Sequence, residues 1–477
     1  MKILFVAAEV TPLVKVGGLA DVVGSLPQAL TELGHDVRVM IPQYGSIDLN
    51  QYPFAGWKDD IGISIMGKTE PVRLGITSIG DKLSVYLVKN DNYFGGEETY
   101  GQNDLERFSF FSRAAFELLP RLGWQPEIVH CHDWHTALLV MWLKKAGYPY
   151  TTILTIHNLA YQGLFDEAFL AKSGLEQYWT ASGAPKPPLN YLSQGILWAD
   201  LVTTVSETYA REIVTPGCGC GLDSLLRLRQ KDLVGIVNGI DYEEYNPRTD
   251  PYIVSNYDAT AIEGRAINKL ALQKRASLPE DAAIPLIGMV QRLDEQKGFG
   301  ILEQAIDRLL QESKPQLVIL GKGREHYENM LRQKVACYPE QMALFAAFDN
   351  PLAHLIYAGC DMFLMPSCFE PCGLGQLIAM RYGALPIVRH TGGLIDTVPE
   401  LTPDMQEGSG FVFRDYTPEA LKIAVNAAAE TFRNKKAAWY QAKRRVMNLD
   451  FSWKASALKY EAAYQELLKS KRSLSSV

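Results

Sequence analysis

At 477 residues the chain exceeds what one compact core usually holds, which points to two domains. A hydrophobic fraction of 47% with 21% charged residues is that of an ordinary globular protein. A net charge of −7 and a pI near 5.7 exclude broad binding to nucleic acid or to an anionic membrane, while leaving room for a small phosphate site.

The chain opens on MKILFVAAEV, and residues 3–8 read as a short buried strand. Glu9 interrupts the apolar run, and Thr11-Pro12 and Lys15 follow closely, so a strand fits better than a cleaved leader. A helix over 19–33 stops at Gly34, and 37–41 is the next strand. Residues 74–79 and 83–88 form an antiparallel hairpin across Gly80-Asp81. Strands follow at 127–130, 152–156, 201–205 and 234–237, each rich in Val, Ile and Thr. Residues 241–260, rich in Tyr, Asp, Asn and Pro, read as a linker.

A second series then begins, with strands at 286–290, 316–320, 343–346, 362–365 and 385–388 and helices between them, among them 301–310 and 375–382. From 418 the tail is helical, fraying at 473–477. Strand-then-helix alternation in both halves predicts two doubly wound α/β domains facing a central cleft, with domains at 1–240 and 261–455 and a C-terminal segment at 456–477. Ligands then bind beyond the C-terminal ends of the strands. No apolar run reaches the length of a membrane span. The seven cysteines show neither a disulfide framework nor a CxxC pair, which fits a reducing compartment. The expectation is a soluble cytoplasmic protein, or an organellar one without its transit peptide.

The chemistry-bearing motifs fall just after strands. In Lys15-Val16-Gly17-Gly18-Leu19, two glycines let backbone N–H groups approach an anion at a helix start, and Lys15 adds charge. An ordinary glycine-rich turn with a solvated lysine reads equally well, and the G-x-G-x-x-G fingerprint is absent. Gly321-Lys322-Gly323 is a weaker version of the same idea. His130-Cys131-His132-Asp133-Trp134-His135 is dense enough in His and Asp to evoke a metal site, yet no second cluster has zinc-like spacing. A polar strand end that bonds sugar hydroxyls is the better reading. Thr155-Ile156-His157-Asn158-Leu159-Ala160-Tyr161-Gln162-Gly163 places His157 at a strand end, where it is either a site residue or a satisfied core histidine.

In the second half, Gln291-Arg292-Leu293-Asp294-Glu295-Gln296-Lys297-Gly298 puts two cations on one loop, as a leaving diphosphate requires. A solvated loop with an internal ion pair is the alternative. Pro366-Ser367-Cys368-Phe369-Glu370-Pro371-Cys372-Gly373-Leu374-Gly375 opens a helix. There Glu370 can bond sugar hydroxyls while the N–H groups from Cys372 onward face a phosphate, or Glu370 is simply a helix N-terminal charge. Thr391-Gly392-Gly393-Leu394 is a further loop for oxygen ligands.

These residues together resemble the bacterial glycogen synthases and plant starch synthases, retaining glycosyltransferases of the GT-B fold. The match runs from the first strand to Asp450-Phe451-Ser452-Trp453, and the Lys15 to Leu19 segment is the family's K-x-G-G-L motif. The resemblance implies ADP-glucose as donor, an α-1,4-glucan as acceptor and no metal. It implies that Lys15, Arg292 and Lys297 hold the diphosphate, with Gly17 and Gly18 alongside. Glu370 would bind glucose hydroxyls, near Cys372, Gly373, Leu374 and Thr391, and Asp21 would contact the nucleotide.

The main-chain carbonyl of His157 would face the reacting sugar carbon, while Asp133, Asn238 and Tyr161 would line the glucose and acceptor side. Where bacterial members often stack a Tyr on adenine, this chain has Phe348, which keeps the ring face and loses the hydroxyl. The last helix is expected to cross back to the first domain. Three rivals are weaker. A nucleotide-sugar epimerase does not explain the K-x-G-G-L context, an inactive glucan binder would have lost some of Lys15, Arg292, Lys297 or Glu370, and a dinucleotide oxidoreductase lacks its fingerprint.

Overall fold

A computed structural model describes residues 1–80, 83–179 and 188–475. Asp81 of the expected hairpin turn, and residues 476 and 477 of the expected frayed end, lie outside the described residues. Two compact units result, Met1–Gly239 with Trp453–Val477, and Ile240–Ser452.

The first unit is built on strands β1 (Lys2–Val6), β2 (Asp36–Pro42), β3 (Phe54–Ile65), β4 (Lys68–Ile79), β5 (Leu83–Lys89), β6 (Ile128–His132), β7 (Thr151–Ile156), β8 (Leu201–Thr204) and β9 (Leu233–Gly235). They lie side by side in the order β3-β4-β5-β2-β1-β6-β7-β8-β9. From β5 to β9 every pairing is parallel, while β3 and β4 add an antiparallel edge. β1 is central, and Ile3, Leu4, Phe5 and Val6 are wholly buried, as expected for a parallel strand covered on both faces. The chain leaves β1 with β2 on one side and β6 on the other, so the loops after β1 and β6 diverge at a switch point.

Helix Gly18–Glu32 lays Leu19, Val22, Val23, Leu26 and Leu30 on this sheet at helical spacing. The last helix, Trp453–Ser475, packs on it. Glu461 lies 3.0 Å from His35, Lys471 lies 2.6 Å from Asp200, and the Tyr464 hydroxyl is 2.8 Å from His130.

The second unit carries β10 (Leu286–Val290), β11 (Gln316–Leu320), β12 (Met342–Phe345), β13 (Met362–Met365), β14 (Leu385–Arg389) and β15 (Phe411–Phe413), ordered β12-β11-β10-β13-β14-β15 and parallel throughout. Its switch point lies between β10 and β13. Residues 241–260 are not a free linker: Ile253 and Tyr257 are buried in this unit's core, and the Tyr257 hydroxyl donates to the Tyr382 carbonyl at 2.8 Å.

The tail is not one continuous helical stretch. Helices Pro418–Asn434 and Lys436–Met447 break at Lys435, and the chain then turns at Asn448 and reaches an isolated bridge between Ser452 and Ile240, where Ile240 N donates to Phe451 O at 2.8 Å. β3 and the three-residue β15 are additional to the expected strands. β3 carries Lys58, Asp59, Asp60, Gly56 and Gly62, so its alternation is blurred, and β15 is too short to show a period.

Candidate functional site

In the first unit the loop after β1 is held by a residue that the motifs did not single out. Glu9 is 2% exposed. One carboxylate oxygen accepts the amides of Val16 and Gly17 at 2.6 and 3.1 Å, and the other accepts the Tyr100 hydroxyl at 2.9 Å. Burial raises the Glu9 carboxyl above the ordinary range, against the amide bonds that lower it. Its only sign in the sequence is an acid ending an apolar strand. The anchored loop leads through Gly17, whose amide Glu9 holds, to Gly18 at the start of helix Gly18–Glu32, where first-turn backbone N–H groups can meet an anion. Lys15 lies 2.6 Å from Asp21, both partly exposed, so this pair is weak and the ammonium is free to turn to a ligand. Thr11 also donates to Asp21, at 3.3 Å. Lys15, Gly17, Gly18 and Asp21 therefore form one cluster.

The loops after β6 and β7 form a second cluster. Asp133 adopts a left-handed backbone (φ 55°) at the first position of helix Asp133–Lys145 and is 8% exposed. Its carboxylate accepts the His157 amide at 2.7 Å and so fixes the chain where β7 ends. Burial pushes the Asp133 carboxyl up to about 7, against backbone bonds from His157 and Asn158.

The histidine-rich strand end is not an open sugar-binding edge. Alternation does bring His130 and His132 onto one face, with ring centroids 4.4 Å apart, but both are buried. His132 stacks in turn on partly buried His157, and their ring nitrogens are 2.9 Å apart. His130 is satisfied by Tyr464 and by the Thr155 hydroxyl, 2.6 Å away. Burial lowers His130, His135 and His157 to about 3 and His132 well below its ordinary value, so the row is neutral. The rings pack against Phe5 of β1, which explains why a polar segment closes inside the core. Among the described residues no group of three or more His, Cys, Asp or Glu is placed to hold a metal ion. Asn238 is buried with its side-chain oxygen unbonded, while Tyr161 is half exposed.

In the second unit the loops after β10 and β13 meet across the switch point. Lys297 lies 2.6 Å from Glu370, with side-chain exposures of 15% and 6%. The Ser367 hydroxyl donates to the same Glu370 oxygen at 3.0 Å. Asp294 caps the turn by accepting the Lys297 amide at 3.1 Å. Gly298 has φ 81°, and a Cβ there would strike the Pro366 carbonyl, so only glycine lets the two loops touch. Cys368 N also donates to Gln296 O at 2.8 Å.

Arg292 is half exposed and 3.5 Å from Asp294, a weak surface pair. Gly393 N donates to the Glu370 carbonyl at 3.0 Å, bringing the loop of buried Thr391 against that of Glu370 and buried Cys372. Gly373 and Leu374 lead into helix Gly375–Arg381. Phe348 stands apart beyond edge strand β12, 85% exposed, with Asp349 capping the next helix. Gly321-Lys322-Gly323 has a packing role instead: a Cβ at Gly321 would strike the Gln291 carbonyl, so the segment supports the Arg292 loop.

These clusters suit anion binding at two helix-leading loops, with a buried carboxylate beside a lysine in one of them. Comparison with known proteins accords with this chemistry. Residues 2–228 match the model of the starch synthase catalytic domain, and residues 272–446 that of the group 1 glycosyl transferases. The chain is 45% identical to a glycogen synthase of Geotalea daltonii, covering 99% of this chain and 100% of the relative. It superposes on the catalytic domain of starch synthase IV from Arabidopsis thaliana, solved with ADP and acarbose, with a TM-score of 0.89 and 34% identity over 98% and 99% of the two chains. A sucrose-phosphate synthase from Thermosynechococcus elongatus shares the fold at TM-score 0.63 and 18% identity, covering 98% and 99% of the two chains.

Proposed function

This chain belongs to the glycogen and starch synthases, glycosyltransferases of the GT-B fold, and from that premise we propose that it extends the non-reducing end of an α-1,4-glucan with glucose from ADP-glucose, retaining the anomeric configuration and releasing ADP. The observation that carries the donor and acceptor is the likeness to a starch synthase solved with ADP and acarbose, at 34% identity over nearly the whole chain.

Lys297 and Arg292 stabilise the charge on the departing diphosphate, and Lys15 with the Gly18 amide at the helix start adds a second anion-binding element. Lys297 leans on Glu370 in the structure, so both side chains are set before any ligand arrives. Oε2 of Glu370 takes the bonds from Lys297 and Ser367, which leaves Oε1 for a glucose hydroxyl. Thr391, Cys372, Gly373 and Leu374 complete the donor side. Phe348 offers an exposed ring for adenine, and Asp21 meets the nucleotide.

Asp133 holds the His157 backbone, and the His157 carbonyl then faces the positive charge developing at the sugar carbon. The ring of His157 is neutral, so it adds no opposing charge. Asn238 and Tyr161 serve the acceptor side, and the unbonded Asn238 oxygen is available to a sugar hydroxyl. The acceptor 4-hydroxyl attacks from the face that the diphosphate leaves. No metal is needed, since side-chain cations balance the diphosphate. The described helices include none long and apolar enough to cross a membrane.

The deciding experiment is glucose transfer to a maltooligosaccharide with a metal chelator present, comparing ADP-glucose with UDP-glucose. Elongation with a clear preference for ADP-glucose is expected. Equal use of both donors would overturn the base assignment, and loss of activity on chelation would overturn the metal-free reading.

A further inference from the structure

At the end of the second sheet opposite the donor loops lies a cavity of about 330 Å³, walled by helices Gly264–Arg275 and Lys436–Met447. Asp361 marks that end. It directly precedes β13, and its carboxylate accepts the amide of Leu286, the first residue of β10, at 3.1 Å. Lys297 and Glu370 follow the far ends of the same two strands.

Asp361 is surrounded by cations. Lys269 lies 2.6 Å away and is fully used, donating also to the carbonyls of Ala282 and Ile284 at 2.9 and 2.6 Å. Lys443 makes only a 3.5 Å contact with Asp361. Arg265 donates to the carbonyls of Tyr382 and Cys360, while its Nε has no partner. On the same wall the Trp439 indole N–H is buried without an acceptor. Exposed Lys436 lies over the Phe432 ring, 3.7 Å from its centroid.

The cavity lining thus carries Arg265, Lys269, Lys436 and Lys443 against Asp361 and Glu263, an excess of two positive charges, with Arg265, Lys269 and Asp361 themselves buried. Uncompensated buried charge is costly. Lys443 registers it, pulled down to about 8 chiefly by burial, with Arg265 and Lys269 adding to the effect. A carboxylate ligand would answer half the excess, whereas a phosphate monoester carries about −1.5 to −2 at neutral pH. The volume falls at the lower end of small-molecule sites, roughly 300–1,000 Å³, and Phe432 and Trp439 supply apolar wall.

We infer that this cavity binds the phosphate group of a small phosphorylated ligand, at a site separate from the donor loops. The test is calorimetric titration of the full chain with inorganic phosphate and with glycerol 3-phosphate, using chloride at matched ionic strength as control. Wild type, Lys436→Ala, Lys443→Met and Arg292→Ala are compared. A saturable component is expected that Lys436→Ala or Lys443→Met weakens about tenfold or more, the loss of one charged hydrogen bond, and that persists in Arg292→Ala, which removes only phosphate held at the donor loops. Lys436 is exposed, so its variant reports even if Lys443→Met fails to fold. Absence of saturable binding in wild type would overturn the site. So would equal heat from chloride, or binding that Arg292→Ala weakens and Lys436→Ala does not.

Discussion

The Lys297–Glu370 pair offers a test that separates stability from catalysis. The ions are 2.6 Å apart, with side chains 15% and 6% exposed. Lys297→Ala strands a buried carboxylate, and breaking a buried pair this way costs about 3–5 kcal/mol. The Ser367 hydroxyl still donates to Glu370, which puts the expected cost near the low end, about 3 kcal/mol. For a unit of this size that lowers the melting transition by about 6–12 °C. Turnover should fall by about 10²–10³, the usual effect of removing one group that stabilises developing negative charge. Adding Glu370→Gln removes the stranded charge, so the double variant should recover to within about 1 kcal/mol of wild type while staying inactive. Scanning calorimetry and glucose transfer to a maltooligosaccharide give the two readouts. Near-wild-type turnover in Lys297→Ala would remove Lys297 from the donor site. Equal melting losses in the single and double variants would refute the electrostatic account of the pair.

Glu9→Ala leaves the Val16 and Gly17 amides and the Tyr100 hydroxyl without their acceptor, so KM for ADP-glucose should rise about tenfold or more, with Glu9→Gln milder because its carbonyl still accepts the amides. An unchanged donor KM would exclude a role for Glu9 in shaping the anion loop. Phe348→Ala should leave the melting temperature unmoved, since the ring is 85% exposed, yet raise KM for ADP-glucose about fivefold to a hundredfold through lost stacking of about 1–3 kcal/mol; an unmoved KM would place adenine elsewhere.

His135 is buried and lowered to about 3 by burial, so the unfolded chain binds a proton there that the folded one does not. Stability from this residue is present above pH about 6.5 and is lost as pH falls toward about 3. His135→Phe keeps the aromatic packing against Phe108 and Trp134 and should flatten the pH dependence of urea unfolding by about 1.4 kcal/mol per pH unit in that window. An unaltered slope would show that His135 is solvated or already charged when folded.

Much of this protein was legible along the chain because its central strands are parallel and buried on both faces. Such strands read as continuous apolar runs, and the loops at their C-terminal ends hold the glycines and cations that an anion requires. The expected strands at 286–290, 316–320 and 362–365 coincide with β10, β11 and β13 for this reason. The K-x-G-G-L segment, the Arg292 to Lys297 loop and Glu370 carry local chemistry, so they stand out without knowledge of their neighbours.

Contacts between distant residues were decided only by the tertiary structure. Lys297 and Glu370 are 73 residues apart and meet because β10 and β13 pair at a crossover. Glu9 holds the next loop only because Tyr100 and two amides converge on it. His130 and His132 looked like a polar edge, yet they stack inside the core against Phe5, an outcome set by β1 lying beside β6. The cation cluster around Asp361 draws on two helices and a turn far apart in the chain. A run of residues fixes which groups are present and which way a strand alternates; which of them share a buried space depends on the strand order, and that is a property of the whole sheet.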